Sequence, residues 1–266
     1  MTAIAISPTQ TLPNMMPDYE IRLLLNPAVV LSPKHKLMDT VLSAFEISPT
    51  VTKLNVQFLD TSSQELFTAD WIARIRKTEG QNDLELTYKK RYTITDSDID
   101  AALTAANIDG FKAGNTKYEA QVEWGYQKKT LSISRKKTVP DHGNSGMDLP
   151  GTSNSQKMLI AEAPDKFDDW KPNKWGTGLL AVSRIFGPVL TRRSIGKWKR
   201  MKLYLEVWPL PDLAGTGYEY VVEASFKTES ITEALVEQRN LAAFLQNKGW
   251  LLPHDSLKTQ LIMERC

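Results

Sequence analysis

Residues 71–92 read WIARIRKTEGQNDLELTYKKRY. The run divides into two strands, Trp71–Arg76 and Leu84–Arg91, joined by the polar turn Glu79-Gly80-Gln81-Asn82-Asp83. Side chains alternate between the two faces of a strand. Ile72, Arg74 and Arg76 therefore share one face, and Ala73 and Ile75 the other. On the return strand Glu85, Thr87, Lys89 and Arg91 lie opposite Leu84, Leu86 and Tyr88. An antiparallel sheet wet on one side gives the same split. The kind of charge separates the readings. Four of the six polar side chains on these faces are Lys or Arg, and like charges on neighbouring strands repel unless an anion sits among them. The hairpin is either a solvated basic surface or a concave seat for phosphate or carboxylate.

The same alternation recurs outward from the hairpin. In Asp18–Leu25, Asp18, Glu20 and Arg22 share one face, and Tyr19, Ile21 and Leu23 the other. Further strands are expected at Thr52–Leu59, Tyr118–Trp124, Thr130–Arg135, Val189–Ser194, Lys202–Trp208 and Glu219–Phe226. Apolar residues at helical spacing predict a helix over Pro33–Phe45 and another over Asp96–Ile108, begun by Thr95 or Asp96. Ser230-Ile231-Thr232-Glu233 fits a capping box opening a helix to Leu245. A last short helix starts near Asp255 and carries Lys258. Residues 1–16 read as a flexible arm. Residues 137–177, rich in Pro, Gly, Asn and Ser, read as a loop insertion, either disordered or a lid. The total of about eight strands and about four helices has no βαβ rhythm. The expected fold is α+β: an antiparallel β-barrel with helices packed around it, formed by one domain over 17–266.

Composition narrows the function. The charged fraction of 24% and hydrophobic fraction of 41% are those of an ordinary globular domain. Net charge is only +2, so attraction for anions must be local, and nucleic acid is not an expected partner. The single cysteine, Cys266, and the three His residues, 35, 142 and 254, leave no zinc pattern. A metal here would be held by carboxylates, which selects Mg²⁺ or Mn²⁺. The N-terminal residues have no secretory character and no apolar run approaches a membrane span, so a cytoplasmic location is expected.

The charged faces collect Asp18, Glu20 and Arg22 from the first strand, then Arg74, Arg76, Glu85, Lys89 and Arg91 from the hairpin. Arg193, Glu206 and Glu223 come from the later strands. Turned inward, they make chemical sense only around a polyanion and a divalent cation, because an empty charged interior costs too much desolvation. The run Asp18-Tyr19-Glu20-Ile21-Arg22 resembles the ExExK signature of the CYTH superfamily, the triphosphate tunnel metalloenzymes. Phe58-Leu59-Asp60-Thr61, Arg74-Ile75-Arg76 and Leu86-Thr87-Tyr88-Lys89 resemble that family's next three motifs in order. Leu190-Thr191-Arg192-Arg193-Ser194 is similar to its later phosphate-binding strand, and Lys258 to its C-terminal tunnel lysine. The closing ExE motif departs, appearing as Glu223-Ala224-Ser225.

The resemblance implies a metal-dependent phosphohydrolase cleaving a small molecule that bears a tri- or diphosphate. Asp18, Glu20, Glu206 and Glu223 would hold Mg²⁺ or Mn²⁺. Arg22, Arg74, Arg76, Lys89, Arg91, Arg193 and Lys258 would bind the substrate, with Glu20, Arg74, Arg76, Lys89 and Arg193 at the reacting centre. The missing carboxylate at Ser225 motivates an alternative, a tunnel that binds, isomerises or cyclises an organic substrate without phosphate. A monomer and a homodimer are both compatible with the sequence.

Overall fold

The computed structural model describes residues 12–141 and 143–266. His142 and most of the expected arm lie outside the described residues. The strands are β1 (Asp18–Leu25), β2 (Val51–Asp60), β3 (Trp71–Thr78), β4 (Asp83–Ile94), β5 (Glu119–Trp124), β6 (Lys129–Pro140), β7 (Arg184–Trp198), β8 (Met201–Pro211), β9 (Tyr218–Thr228) and β10 (Leu251–Leu252). The helices are α1 (Pro27–Val30), α2 (Asp39–Ala44), α3 (Glu65–Thr68), α4 (Ile99–Ile108), α5 (Thr152–Ala161), α6 (Asp165–Asp168), α7 (Trp175–Ala181), α8 (Ile231–Asn247) and α9 (Lys258–Arg265). Among the described residues no helix is long and apolar enough to cross a membrane.

The sheet runs β1-β5-β6-β4-β3-β2-β7-β8-β9 and closes through β9 on β1, a barrel of nine strands. It is mixed rather than purely antiparallel. β1 and β5 run parallel, with Glu20 abreast of Glu123, while every other barrel pairing is antiparallel. A parallel pair needs a long crossover, and the strands and α4 between β1 and β5 provide it.

Alternation makes the barrel a two-sided wall. The outward residues Tyr19, Ile21, Trp71, Ala73, Ile75, Leu84, Leu86 and Tyr88 are buried beneath helices in the main apolar core. Burial at about 25 cal/mol per Å² of apolar surface makes this outer layer the chief stabilising element. A second, smaller cluster lies inside the barrel at one end, where Phe58, Ile72, Phe186, Trp208 and Leu210 receive Ile262 and Met263 of α9. The barrel is therefore greasy at one end and charged along the rest. At Val56–Phe58 the β2–β7 register slips. Gly187 sits there at φ +100, where a Cβ would stand 3.1 Å from the Val56 carbonyl oxygen, so only glycine fits the bulge without strain.

Three expectations are corrected. Residues 137–177 are a loop only in part: 143–151 carry no helix or strand, but β6 runs to Pro140, and α5, α6 and the start of α7 pack on the outer wall. Leu159, Phe167 and Leu180 are fully buried there, and the rings of Phe167 and Trp170 stand edge-on to Trp71 at 5.2 and 5.5 Å. The reason is need: the outward faces of β2–β4 are apolar and require cover. This segment stands on the opposite side of the wall from the charged interior, so it does not act as a lid. Second, residues 12–16 are tied down, with Asn107 Nδ2 donating to the Leu12 carbonyl and to Asn14 Oδ1. Third, only Asp39–Ala44 of the Pro33–Phe45 segment is helical, because Leu31 and Leu37 form a bridge around a tight turn.

Candidate functional site

The inward face of the barrel encloses a cavity of about 290 Å³. β1 contributes Glu20 and Arg22, β3 Arg74 and Arg76, β4 Lys89 and Arg91, β7 Arg193, β8 Glu206, and α9 Lys258. Residues far apart in sequence thus share one interior, as inward positions two residues apart on successive strands must. Asp18 does not join them; it is exposed at the start of β1, outside the cavity. Glu223 borders an adjoining cavity of about 260 Å³ that shares Arg22 and Glu123 with the first.

The acids inside are bridged by cations in a repeating manner. Glu85 accepts from Arg74 at 2.9 Å and from Arg76 at 2.7 Å. Glu123 lies between Arg22 at 2.9 Å and Lys89 at 2.5 Å. Glu206 accepts from Arg193 Nε and Nη2 at 2.8 and 2.6 Å through one oxygen. Its other oxygen takes Lys258 Nζ at 2.7 Å and Trp208 Nε1 at 2.9 Å. Lys258 also reaches Glu223 at 2.7 Å. Among the described residues Glu20 is the one acid of the main cavity without a Lys or Arg partner; it accepts from Gln121 Nε2 at 2.5 Å.

Burial sets the electrostatics. It would raise each carboxyl, but the paired cations outweigh it. Arg22, Lys89 and Arg91 hold Glu123 well below the usual carboxylate range, and Lys258 and Arg193 do the same to Glu206. Burial acts on the surplus cations without full compensation. It lowers Lys89 despite Glu123, and with the neighbouring Arg76 it pushes the Arg74 guanidinium down to about 10. Nine Lys or Arg and four Glu line the cavity. The excess of cations is held at high potential, and a polyanion relieves it.

A divalent metal does not fit the donor set. Among the described residues no three Asp, Glu, His or Cys side chains converge on one point. The expected four-carboxylate set is not assembled: Asp18 is exposed outside the cavity, Glu20 is on Gln121, and Glu206 and Glu223 hold a lysine. Apart from these carboxylates, the sequence reading missed Gln121, Glu123, Lys136, Tyr204, Trp208 and Lys227 as lining residues. Glu119-Ala120-Gln121-Val122-Glu123-Trp124 carries the same polar and apolar alternation as β1, so Glu123 was legible there.

The sequence matches no family model and no curated protein. Solved structures do match. HpAC1 from Hippeastrum, described as an adenylyl cyclase candidate with a dominant triphosphatase activity, superposes with TM-score 0.53 and 15% identity over 93% of this chain and 99% of its own. A Bacillus halodurans protein described as a candidate adenylate cyclase gives 0.50 and 13%, over 92% of this chain and 96% of its own. A closed barrel with a charged interior and helices outside defines the class. This chain shares the fold of these two proteins.

Proposed function

We propose that this tunnel binds the phosphate chain of a small di- or triphosphate and cleaves a phosphoanhydride bond by attack of water. The observation that carries the reading is the surplus of Lys and Arg over Glu in one enclosed cavity, which a multiply charged anion would neutralise. The triphosphatase activity described for HpAC1, which has the same fold, supports it. Phosphoryl transfer asks little covalent chemistry of a protein; it asks for alignment and for charge stabilisation on the equatorial oxygens. Arg74, Arg76, Lys89 and Arg193 supply fixed cations around the chain, with Arg22, Arg91 and Lys258 along its path. Water attacks phosphorus, the bridging P–O bond breaks, and its electron pair leaves with the departing phosphate. Glu20, the cavity acid with no cation on it, takes the proton from water.

Glu20→Gln is the test. Phosphate release from inorganic tripolyphosphate and nucleoside triphosphates, assayed with and without Mg²⁺ or Mn²⁺, should fall at least about a hundredfold, a typical general-base contribution, while the melting temperature stays near the parent's. Undiminished turnover in that variant removes Glu20 from the role. A parent protein that turns over and binds none of the set removes the reading. A second reading, a tunnel for an organic anion without phosphate, draws on Leu54, Val56, Phe58 and Trp208, which give the cavity one apolar wall.

A further inference from the structure

The two carboxylates facing each other across β8 and β9, Glu206 and Glu223, are register partners. Like charges directly opposite on adjacent strands destabilise a sheet unless a cation lies between them. Lys258 Nζ lies there, 2.7 Å from an oxygen of each. Burial would lower an isolated lysine, but these two acids hold Lys258 above its ordinary range. Both Glu206 oxygens are already engaged, one by Arg193 and the other by Lys258 and Trp208, so no lone pair is free to face a metal without breaking a charge-assisted bond.

We infer that Lys258 is the tunnel's resident cation, and that the tunnel takes its polyanion directly, with no divalent metal between acid and phosphate. An ammonium has three N–H donors. Two are spent on Glu206 and Glu223, and the third is available to a phosphate oxygen in the cavity that Lys258 lines. The cation–π contact to Trp208 at 4.7 Å fixes the lysine's position against the apolar end of the barrel. The anion meets Lys258 and Arg193 together with Arg74, Arg76 and Lys89, which line the same cavity. This inference rests on the phosphate-chain reading of the same cavity.

The test has two arms. In the first, free Mn²⁺ is titrated with protein alone and followed by its electron paramagnetic resonance signal. The parent should leave that signal unchanged. In the second, inorganic tripolyphosphate binding is measured by calorimetry in EDTA and in Mg²⁺. The parent should bind in EDTA, and Mg²⁺, which chelates the free anion, should not tighten that binding by more than about threefold, less than the tenfold that one charge-assisted contact commonly carries. Lys258→Met should weaken binding in EDTA by about ten- to a hundredfold, and Lys258→Arg should restore most of it. Should Lys258→Met fail to fold, Glu223→Gln serves instead: it frees the lysine from one carboxylate and should tighten binding in EDTA. Uptake of Mn²⁺ by the parent, abolished by Glu206→Gln, overturns the inference. Tripolyphosphate bound only with Mg²⁺ overturns it while leaving the phosphate reading standing; binding under neither condition overturns both.

Discussion

Glu123→Gln is the sharpest probe of the interior. The carboxylate is 1% exposed and is shared by Arg22 and Lys89, with Arg91 acting on it as a third positive neighbour. Removing one partner of a buried ion pair costs about 3–5 kcal/mol, because the surviving charge is left uncompensated. Arg22 and Lys89 are 18% and 21% exposed, so water screens part of the loss and about 3 kcal/mol is expected. The amide keeps the shape, which leaves charge as the variable. Three cations would then lack their counter-ion, and an external anion should take its place. Urea unfolding with and without saturating tripolyphosphate or sulfate provides the assay. A ligand at a hundred times its dissociation constant stabilises by about 2.7 kcal/mol. The variant should recover most of its deficit with anion and gain more from it than the parent does. A loss under about 1 kcal/mol, the range of an exposed pair, would refute the reasoning, and so would equal anion stabilisation of both proteins.

Phe167→Ala should cost about 3–5 kcal/mol as a large-to-small change in a core, since Phe167 is fully buried against Trp71 and Tyr88. Because it lies outside the barrel wall, tripolyphosphate affinity of the folded variant should stay within about threefold, less than 1 kcal/mol; a large loss of affinity at unchanged stability would make the segment part of the site. Acid should unfold the protein through its bridging glutamates. Glu85, Glu123 and Glu206 have folded values below the ordinary Glu value of about 4.3. Their stabilisation is therefore full above that value and is lost as pH falls through the depressed ones. Urea midpoints of the parent and of Glu123→Gln should converge as pH drops through this window, and parallel curves would count against it.

The charged half of the fold was legible because its signal is local. Arg74-Ile75-Arg76 and Leu86-Thr87-Tyr88-Lys89 alternate within a few residues, and alternation alone assigns each side chain to a face of the wall. The parallel seat of β5 on β1 was not legible, since nothing near Glu119–Trp124 records which strand lies beside it. The helical cover over 152–181 escaped for another reason. Its helices are short, and each supplies only one or two core residues such as Leu159, Phe167 and Leu180, too few to make a period. Pairing among the expected carboxylate ligands was not legible either. Carboxylates that look like ligands in a sequence are committed to Arg or Lys once the strands meet, as Glu206 and Glu223 are to Lys258.

The barrel is sealed by β9 lying along β1, so residues near position 20 hydrogen-bond residues near position 225. Contacts of such long sequence separation form late and slowly, since the entropy of bringing distant segments together is lost before the contact rewards it. Until that seam forms, Arg74, Arg76, Lys89 and Arg91 stand in open water at no electrostatic disadvantage. On this order the cost of dehydrating them is expected when the seam closes. A newly made chain can therefore carry its basic strands harmlessly through synthesis, and the interior comes into being only at closure.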